Sequence, residues 1–240
     1  MHEAQLHDAN SFVTLTYAEE HLPPGGSLRK ADFQRFMKRL RKRIAGKVRF
    51  FHCGEYGEEL NRPHYHALLF GYDFPDRTPW AERGAHRTYR SEELEELWPM
   101  GHSEIGDVTF ESAAYVARYC VKKITGAKAD EHYVDKSTGL IREPEYATMS
   151  RRPGIGAGWF EKYKADVYPS DEVVSRGHGS KPPRYYDQLL GREDPELLEQ
   201  MKAARNRARS REDETPDRLA VREACTASRL SFSQRRLEEC

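Results

Sequence analysis

The sequence of 240 residues has few cysteines and no long apolar stretch, and each absence excludes a class of protein. Its four cysteines are scattered without a C-x-x-C pair, which argues against a zinc knuckle or a disulfide scaffold and fits a reducing compartment. No apolar run approaches the ~20 residues that a membrane span needs. The N-terminal residues also lack the basic and apolar regions of a secretion signal. We therefore expect a cytoplasmic protein that has no membrane partner.

Apolar residues are scarce, and the charges are unevenly placed. The hydrophobic set makes up 38% of the chain and charged residues 32%, with a mean hydropathy of −0.88, so we expect one well-filled core rather than two. The formal net charge is zero, yet residues 29–49 contain ten basic side chains and one acidic one. Residues 76–111 contain four basic and nine acidic side chains. The basic segment favours contact with nucleic acid, although an isolated basic run is as often a solvated helix face.

The hydrophobic pattern predicts a mixed α+β fold. Alternating or β-branched stretches predict about five strands, at 12–17, 48–53, 64–70, 102–108 and 145–150. Helical spacing of apolar residues predicts one helix over 29–44 and another after Thr109, which would cap it. The strands at 48–53 and 64–70 should pair antiparallel through the loop between them. Residues 72–106 are otherwise expected to be irregular and acidic, with one short helix at SEELEELW.

The C-terminal part of the chain is polar and predicts a separate helical segment. Asp194-Pro195 and Thr215-Pro216 each show the cap-then-proline pattern of a helix start. We therefore divide the chain into a catalytic or binding domain over 1–170 and a polar, mostly helical extension over 171–240.

Two histidines separated by one residue, His64 and His66, are candidate metal ligands. On a strand, residues i and i+2 point to the same face, so the imidazoles would lie side by side. Glu55 follows the neighbouring predicted strand and would approach them after antiparallel pairing. Two histidines and one carboxylate leave open positions on a divalent cation, as Lewis-acid catalysis at phosphorus requires. Such a histidine pair is more often a surface or packing feature when it stands alone.

A tyrosine pair lies in the second predicted helix. Tyr115, Tyr119 and Lys122 fall within about 60° of one another at 100° per residue, on a side expected to point away from the core. A phenol with its usual pKa of ~10 is a poor nucleophile unless a nearby cation stabilises the phenolate. An amphipathic helix with aromatic rims is the simpler interpretation of this segment alone.

Together, these motifs resemble the HUH endonuclease superfamily, and within it the rolling-circle replication initiators of microvirus-type (gokushovirus-like) single-stranded DNA phages. FVTLTY is similar to the first-strand motif, PHYHALLFG to the histidine motif and AAYVARYCVKK to the tyrosine motif. SRRPGIG, WFEKY and PRYY also resemble this group. The histidine motif precedes the tyrosines, as in rolling-circle initiators, whereas conjugative relaxases have the reverse order. The resemblance covers most of residues 12–186.

The resemblance implies a fold, a reaction and a location. The fold would be a central antiparallel sheet with flanking helices, similar to the RNA-recognition-motif arrangement. His64, His66 and Glu55 would hold Mg²⁺ or Mn²⁺ as the cofactor. Tyr119 or Tyr115 would attack origin DNA, leaving a 5′-phosphotyrosine and a 3′-OH that primes rolling-circle synthesis, and would later rejoin the product strand. The protein would act in the cytoplasm of a bacterial host.

Tyr119 is ranked above Tyr115 as the obligatory nucleophile, because a lysine normally follows this tyrosine three residues later. Lys122 meets that pattern for Tyr119, whereas Tyr115 is followed by Arg118. Arginine keeps the positive charge but does not exchange protons. The implied partners are single-stranded DNA, origin duplex DNA and the host helicase and polymerase. The residues predicted to contact DNA are basic, namely Lys38, Arg41, Lys42, Arg118, Lys123, Arg151 and Arg152.

Two other functions remain open from the sequence. The first is a transposase or relaxase of the same superfamily, which would use the same site. The second is a non-catalytic, sequence-specific DNA-binding protein in which the histidine pair is structural. A metal-dependent covalent adduct with DNA would separate the catalytic proteins from the second alternative.

Overall fold

The computed structural model describes residues 1–57, 60–83, 86–122, 124, 126–134, 139–168, 170–209 and 211–232. Its strands are β1 (Asn10–Thr16), β2 (Arg49–Tyr56), β3 (Pro63–Phe70), β4 (Thr78–Arg83), β5 (His86–Arg90), β6 (Ser103–Gly106), β7 (Tyr146–Met149), β8 (Val173–Ser175) and β9 (His178–Ser180). Its α-helices are α1 (Lys30–Arg43), α2 (Glu92–Leu97), α3 (Phe110–Lys122), α4 (Ala127–His132), α5 (Ala157–Val167), α6 (Arg184–Glu193), α7 (Pro195–Arg207) and α8 (Pro216–Phe232). None of these described helices is both long and apolar enough to cross a membrane.

The main sheet is antiparallel and has the strand order β4-β5-β6-β1-β3-β2-β7. Its centre is β3, which pairs with β1 on one side and with β2 on the other. The β2–β3 register places Glu55 opposite His64, as the predicted hairpin requires. The same strand places His66 opposite Thr14 of β1. Because opposed residues share a face of the sheet, these four side chains lie on the same side.

The opposite face of the sheet carries the hydrophobic core. Helix α1 buries the apolar stripe that the sequence predicts, and Phe33 and Phe36 of that stripe are essentially inaccessible to solvent. Helix α2 contributes Leu94 and Leu97 to the same core, together with Trp98 just after it. Thr109 accepts a hydrogen bond from the backbone of Ser112 and so caps α3, as predicted.

The predicted fold class is confirmed, but the main sheet has seven strands rather than about five. The extra pair is β4 and β5, within the segment expected to be irregular. This hairpin lies at the edge of the sheet, and several of its described side chains, Trp80 among them, are exposed. It therefore lacks the apolar alternation from which a half-buried strand is predicted. The short helix expected nearby is present as α2.

The chain forms two compact units, Met1–Ile155 and Gly156–Cys240. The second unit has its own cluster of buried residues, which includes Phe160 of α5, Tyr186 and Leu190 of α6 and Leu198 of α7. The structural division therefore precedes α5, whereas the sequence analysis divided the chain after residue 170. Buried aromatic residues of α5 pack in the second cluster, a contact that no local composition change announces. The predicted start of α7 is confirmed, because Asp194 accepts a hydrogen bond from Leu197 N.

Candidate metal and tyrosine site

His64, His66 and Glu55 converge on one face of the sheet, as the sequence predicted. The two histidines lie on β3 with Tyr65 between them pointing to the opposite face, into the core. Glu55 Oε1 lies 3.1 Å from His64 Nε2 and 2.8 Å from His66 Nε2. One potential ligand atom from each residue lies within 4.8 Å of the others. The three side chains could therefore bind the same small cation.

The outer nitrogens of both imidazoles are held by other protein groups. His64 Nδ1 lies 3.0 Å from the carbonyl oxygen of Arg62, which can only accept a hydrogen bond. His64 Nδ1 therefore carries a proton, and Nε2 of the neutral ring keeps its lone pair. His66 Nδ1 lies 3.0 Å from Thr14 Oγ1. Contacts of this kind orient metal-binding histidines in proteins and select the tautomer that binds the metal.

The carboxylate of Glu55 is almost completely buried, with 2% of its side chain exposed. Burial alone would raise the pKa of this carboxyl group, but hydrogen bonds with His64 and His66 outweigh burial and hold the pKa well below its usual range. A carboxylate oxygen and a lone-pair nitrogen, both acceptors, are stable at 3.1 Å only with a proton or a cation between them. The donor set of two histidines and one carboxylate fits a divalent metal ion.

Tyr115 brings its hydroxyl group to the same cluster. Its Oη donates a hydrogen bond to Glu55 Oε1 at 3.0 Å and lies 3.3 Å from His66 Nε2. Its ring meets the His66 ring edge-on, with 4.9 Å between centroids. The expectation that Tyr115 projects away from the packing side of its helix is therefore wrong. Helix α3 lies against the face of the sheet that carries the histidines, so its tyrosine side is the side buried there.

The remaining predicted residues of this helix are only partly described. Tyr119 and Lys122 belong to α3, but their side chains lie outside the described part of the structure. Lys123 lies wholly outside the described residues. Arg118 is on α3 and exposed. The structure therefore places Tyr115 at the cluster, and the roles of Tyr119 and Lys122 stay predictions.

The basic residues predicted to bind DNA occupy two other places. Lys38, Arg41 and Lys42 are exposed on α1, which packs on the core face, across the sheet from the histidines. Arg151 and Arg152 are exposed just beyond the end of β7. None of these five side chains approaches the Glu55 cluster directly, so they would contact parts of a nucleic acid away from that cluster.

Three contributors to the site were missed from the sequence. Thr14 and the carbonyl group of Arg62 hold the histidine rings, and Phe12 stacks on His66 with centroids 5.6 Å apart. The alternation in FVTLTY places residues 12 and 14 on the same face of a strand, which is a usable signal. Which residue of another strand they meet depends on the β1–β3 register, which the sequence pattern left open.

Comparisons with known proteins agree on one family. The sequence profile of the ORF2-type replication-associated proteins matches residues 10–124. The chain is 34% identical over 205 residues to replication-associated protein VP4 of Bdellovibrio phage phiMH2K, covering 81% of this chain and 62% of that protein. It is 34% identical over 200 residues to replication-associated protein ORF4 of Chlamydia phage 1, covering 78% of this chain and 47% of that protein.

A third relative has a similar extent of overlap. The chain is 33% identical over 218 residues to replication-associated protein ORF2 of Spiroplasma virus 4, covering 84% of this chain and 65% of that protein. The chain thus spans less than two thirds of the length of each of these relatives. No solved structure matches it significantly.

Proposed function

Because the chain belongs to the family of ORF2-type phage replication-associated proteins, we propose that it is a replication initiator that nicks single-stranded or locally melted origin DNA through a tyrosine. The reaction class is a metal-dependent, site-specific endonuclease and strand transferase. The product is a 5′-phosphotyrosine link with a free 3′-OH on the other side of the cut. The protein would act inside the bacterial host of the phage.

One observation carries this proposal, namely that a tyrosine hydroxyl meets a carboxylate flanked by two histidines. Tyr115 Oη lies 3.0 Å from Glu55 Oε1, and Glu55 contacts both imidazoles. A structural role for these residues would not require two oriented lone-pair nitrogens and a buried carboxylate to face one point. A metal-assisted nucleophilic attack uses each of these groups.

His64, His66 and Glu55 are the residues that would hold Mg²⁺ or Mn²⁺. Such an ion, when bound, supplies Lewis-acid activation of a phosphodiester. The protein residues supply orientation: Arg62 and Thr14 hold the imidazoles, and β2 and β3 hold the three ligands on a rigid sheet. A site built on strands of a central sheet keeps its geometry better than one built on loops.

Tyr115 would act as the nucleophile of the first transesterification. Its Oη forms a bond to phosphorus in line with the departing 3′ oxygen, and the P–O3′ bond breaks. The phenolic proton passes to water, and the 3′ oxygen takes up a proton to become the free 3′-OH. The phosphotyrosine conserves the bond energy, so the later joining step needs no ATP.

Tyr119 is the proposed second nucleophile. It lies four residues after Tyr115 on the same helix, which is about one turn away. After one round of synthesis, its attack on the regenerated junction would release a new 3′-OH while the first link still exists. That 3′-OH would then attack the first phosphotyrosine and close the circle. The host helicase and polymerase are the proposed partners for synthesis.

The decisive experiment is to incubate the protein with a labelled single-stranded origin oligonucleotide, with and without Mn²⁺. We expect a denaturant-resistant adduct only with the metal, and mass spectrometry should map it to Tyr115 or Tyr119. A transposase or relaxase would form the same adduct but would not need a defined phage origin. If the protein binds DNA with no adduct under any metal condition, the non-catalytic alternative replaces this proposal.

A further inference from the structure

A basic cavity of about 410 Å³ lies at the other end of β2 from Glu55. Its lining includes five cationic side chains, which come from the end of α1, the following loop, the first residue of β2 and the segment after β7. They are Arg41, Lys47, Arg49, Arg151 and Arg152. No residue of the described lining is acidic. All of these residues belong to the first compact unit.

The segment after β7 is fastened to the start of β2, so the cavity has a defined wall. The Arg49 guanidinium donates hydrogen bonds to the carbonyl oxygens of Pro153 and Gly154, both at 2.9 Å. Phe50 N donates to Ser150 Oγ at 3.1 Å, and Ser150 N donates to Phe50 O at 2.9 Å. These bonds hold the backbone on both sides of Arg151 and Arg152 in place.

The positive charge of the cavity is only partly balanced. Arg49 pairs with Glu3, with 2.5 Å between Nε and Oε1. Within the described part of the chain, no acidic side chain forms an ion pair with Arg41, Lys47, Arg151 or Arg152. Like charges held close together repel, and a bound anion relieves that repulsion. The planar guanidinium groups of three arginines suit a phosphate group in particular.

The cavity lies on the same structural element as the candidate metal site. Arg49 and Glu55 are six residues apart on β2, which corresponds to about 20 Å along a strand. A nucleic-acid strand held at Glu55 can span such a distance with a few nucleotides. We propose that this cavity is a second DNA-binding site, which holds backbone phosphates of the strand whose cut the metal site performs. The inference rests on the proposed function because that function supplies DNA as the ligand.

The test measures how binding depends on strand length and salt. Fluorescence anisotropy would compare the wild-type protein, an Arg151→Ala/Arg152→Ala variant and a charge-matched Lys181→Ala/Arg192→Ala control. The control residues are exposed in the second unit and lie outside the cavity lining. The probes are oligo(dT) strands from about 4 to about 20 nucleotides, a range that brackets known single-strand site sizes.

The expected result has three parts. Wild-type affinity should rise stepwise when the strand becomes long enough to reach both sites, and the cavity variant should lack that step. On the longest strand the variant should bind roughly tenfold more weakly, with the slope of log affinity against log salt reduced by about 0.7 for each lost phosphate contact. Lys47→Ala should shift the curve in the same direction, because Lys47 lines the same cavity.

Two results would overturn the inference. One is an equal loss in the Lys181→Ala/Arg192→Ala control, which would mean that DNA senses only the overall charge. The other is an unchanged length dependence and salt slope in a cavity variant whose circular dichroism spectrum shows normal folding. Absence of a covalent adduct, by contrast, would reject the proposed nicking activity and leave this binding measurement intact, so the two failures are distinguishable.

Discussion

The two faces of the central sheet both bury polar groups, yet they balance donors and acceptors differently. Tyr65 points into the core face, and its hydroxyl lies 2.7 Å from that of Tyr17. Tyr17 in turn donates to Asp32, and Tyr65 both donates to the carbonyl group of Arg29 and accepts from its N–H. Every hydroxyl in this network has partners, and burial raises the pKa of Tyr65 to about 12.

The neighbouring histidines of the same strand lie in the opposite situation. On their face of the sheet, Glu55 Oε1 and His64 Nε2 confront each other as acceptors. The core-face network is complete without any added group, and the histidine face calls for a cation. The comparison teaches that burial and hydrogen bonding alone do not distinguish a structural cluster from a reactive one, whereas an excess of acceptors does.

The largest effect is expected from removing a candidate metal ligand. His64→Ala or His66→Ala should reduce DNA cleavage by at least about a hundredfold while leaving DNA binding mostly intact, because each removes a metal-binding nitrogen. Glu55→Ala should weaken Mn²⁺ affinity more than DNA affinity. Cleavage assays and calorimetric titration with Mn²⁺ would measure these effects. Tyr65→Phe is the control from the other face, and an equal loss of cleavage there would remove the distinction between the faces.

The tyrosine pair should show a division between cutting and joining. Either Tyr115→Phe or Tyr119→Phe should leave some covalent adduct, because the other hydroxyl can still be used, but strand joining should fall steeply in both. The sequence pattern predicts the greater loss for Tyr119→Phe. The double variant should bind DNA and metal and form no adduct. Gel analysis of adduct and joined product measures both steps, and an adduct mapped to Tyr65, Tyr146 or Tyr163 would contradict the assignment.

A core substitution should change stability rather than chemistry. Phe33 is 1% exposed and stacks on the His52 ring with 3.5 Å between centroids. Phe33→Ala should lower the free energy of unfolding by about 3–5 kcal/mol, since it leaves a cavity in the core. Urea denaturation would measure the change. A loss of Mn²⁺ affinity in Phe33→Ala without a loss of stability would show that the two faces are coupled more closely than the packing indicates.

A smaller effect is expected from the exposed basic side of α1. Neutralising Lys38, Arg41 and Lys42 should weaken DNA binding for all sequences and flatten its salt dependence by about 0.7 per lost contact with a single strand. Arg41 also lines the basic cavity, so Arg41→Ala should be compared with Lys38→Ala/Lys42→Ala. An unchanged salt slope in the lysine pair would leave that part of α1 as a solvated packing surface.

The smallest effect concerns pH and a buried histidine of the core face. Burial lowers the pKa of His52 to about 3, with Lys30 of α1 adding repulsion and Thr148 of β7 providing a partly compensating hydrogen bond. The unfolded chain, with a pKa near 6.5, binds the proton more readily between these values. Stability should therefore fall as pH drops from about 6.5 toward 3. Urea titrations of the wild type and His52→Gln should show a smaller fall in the variant, and parallel curves would contradict this origin.

The central part of the fold could be predicted from the sequence, and the edges could not. The apolar stripe of α1 and the strands β1, β2 and β3 have strong periodicity because each buries one full face. The β4–β5 hairpin was missed because an exposed edge hairpin has little periodicity. Similarly, α5 has no sequence boundary before it, and only the buried cluster around Phe160 assigns it to the second unit.

By itself, the sequence determined the ligand set and the family resemblance, because two residues apart on a strand means the same face and a hairpin brings Glu55 close. The tertiary structure decided which tyrosine meets that set. The helical pattern gave Tyr115 and Tyr119 one shared side, but whether that side met solvent or the sheet depended on how α3 packs over β2, β3 and β7. It packs with Tyr115 against Glu55 and His66, because the polar face of the sheet is where this helix finds its hydrogen-bond partners.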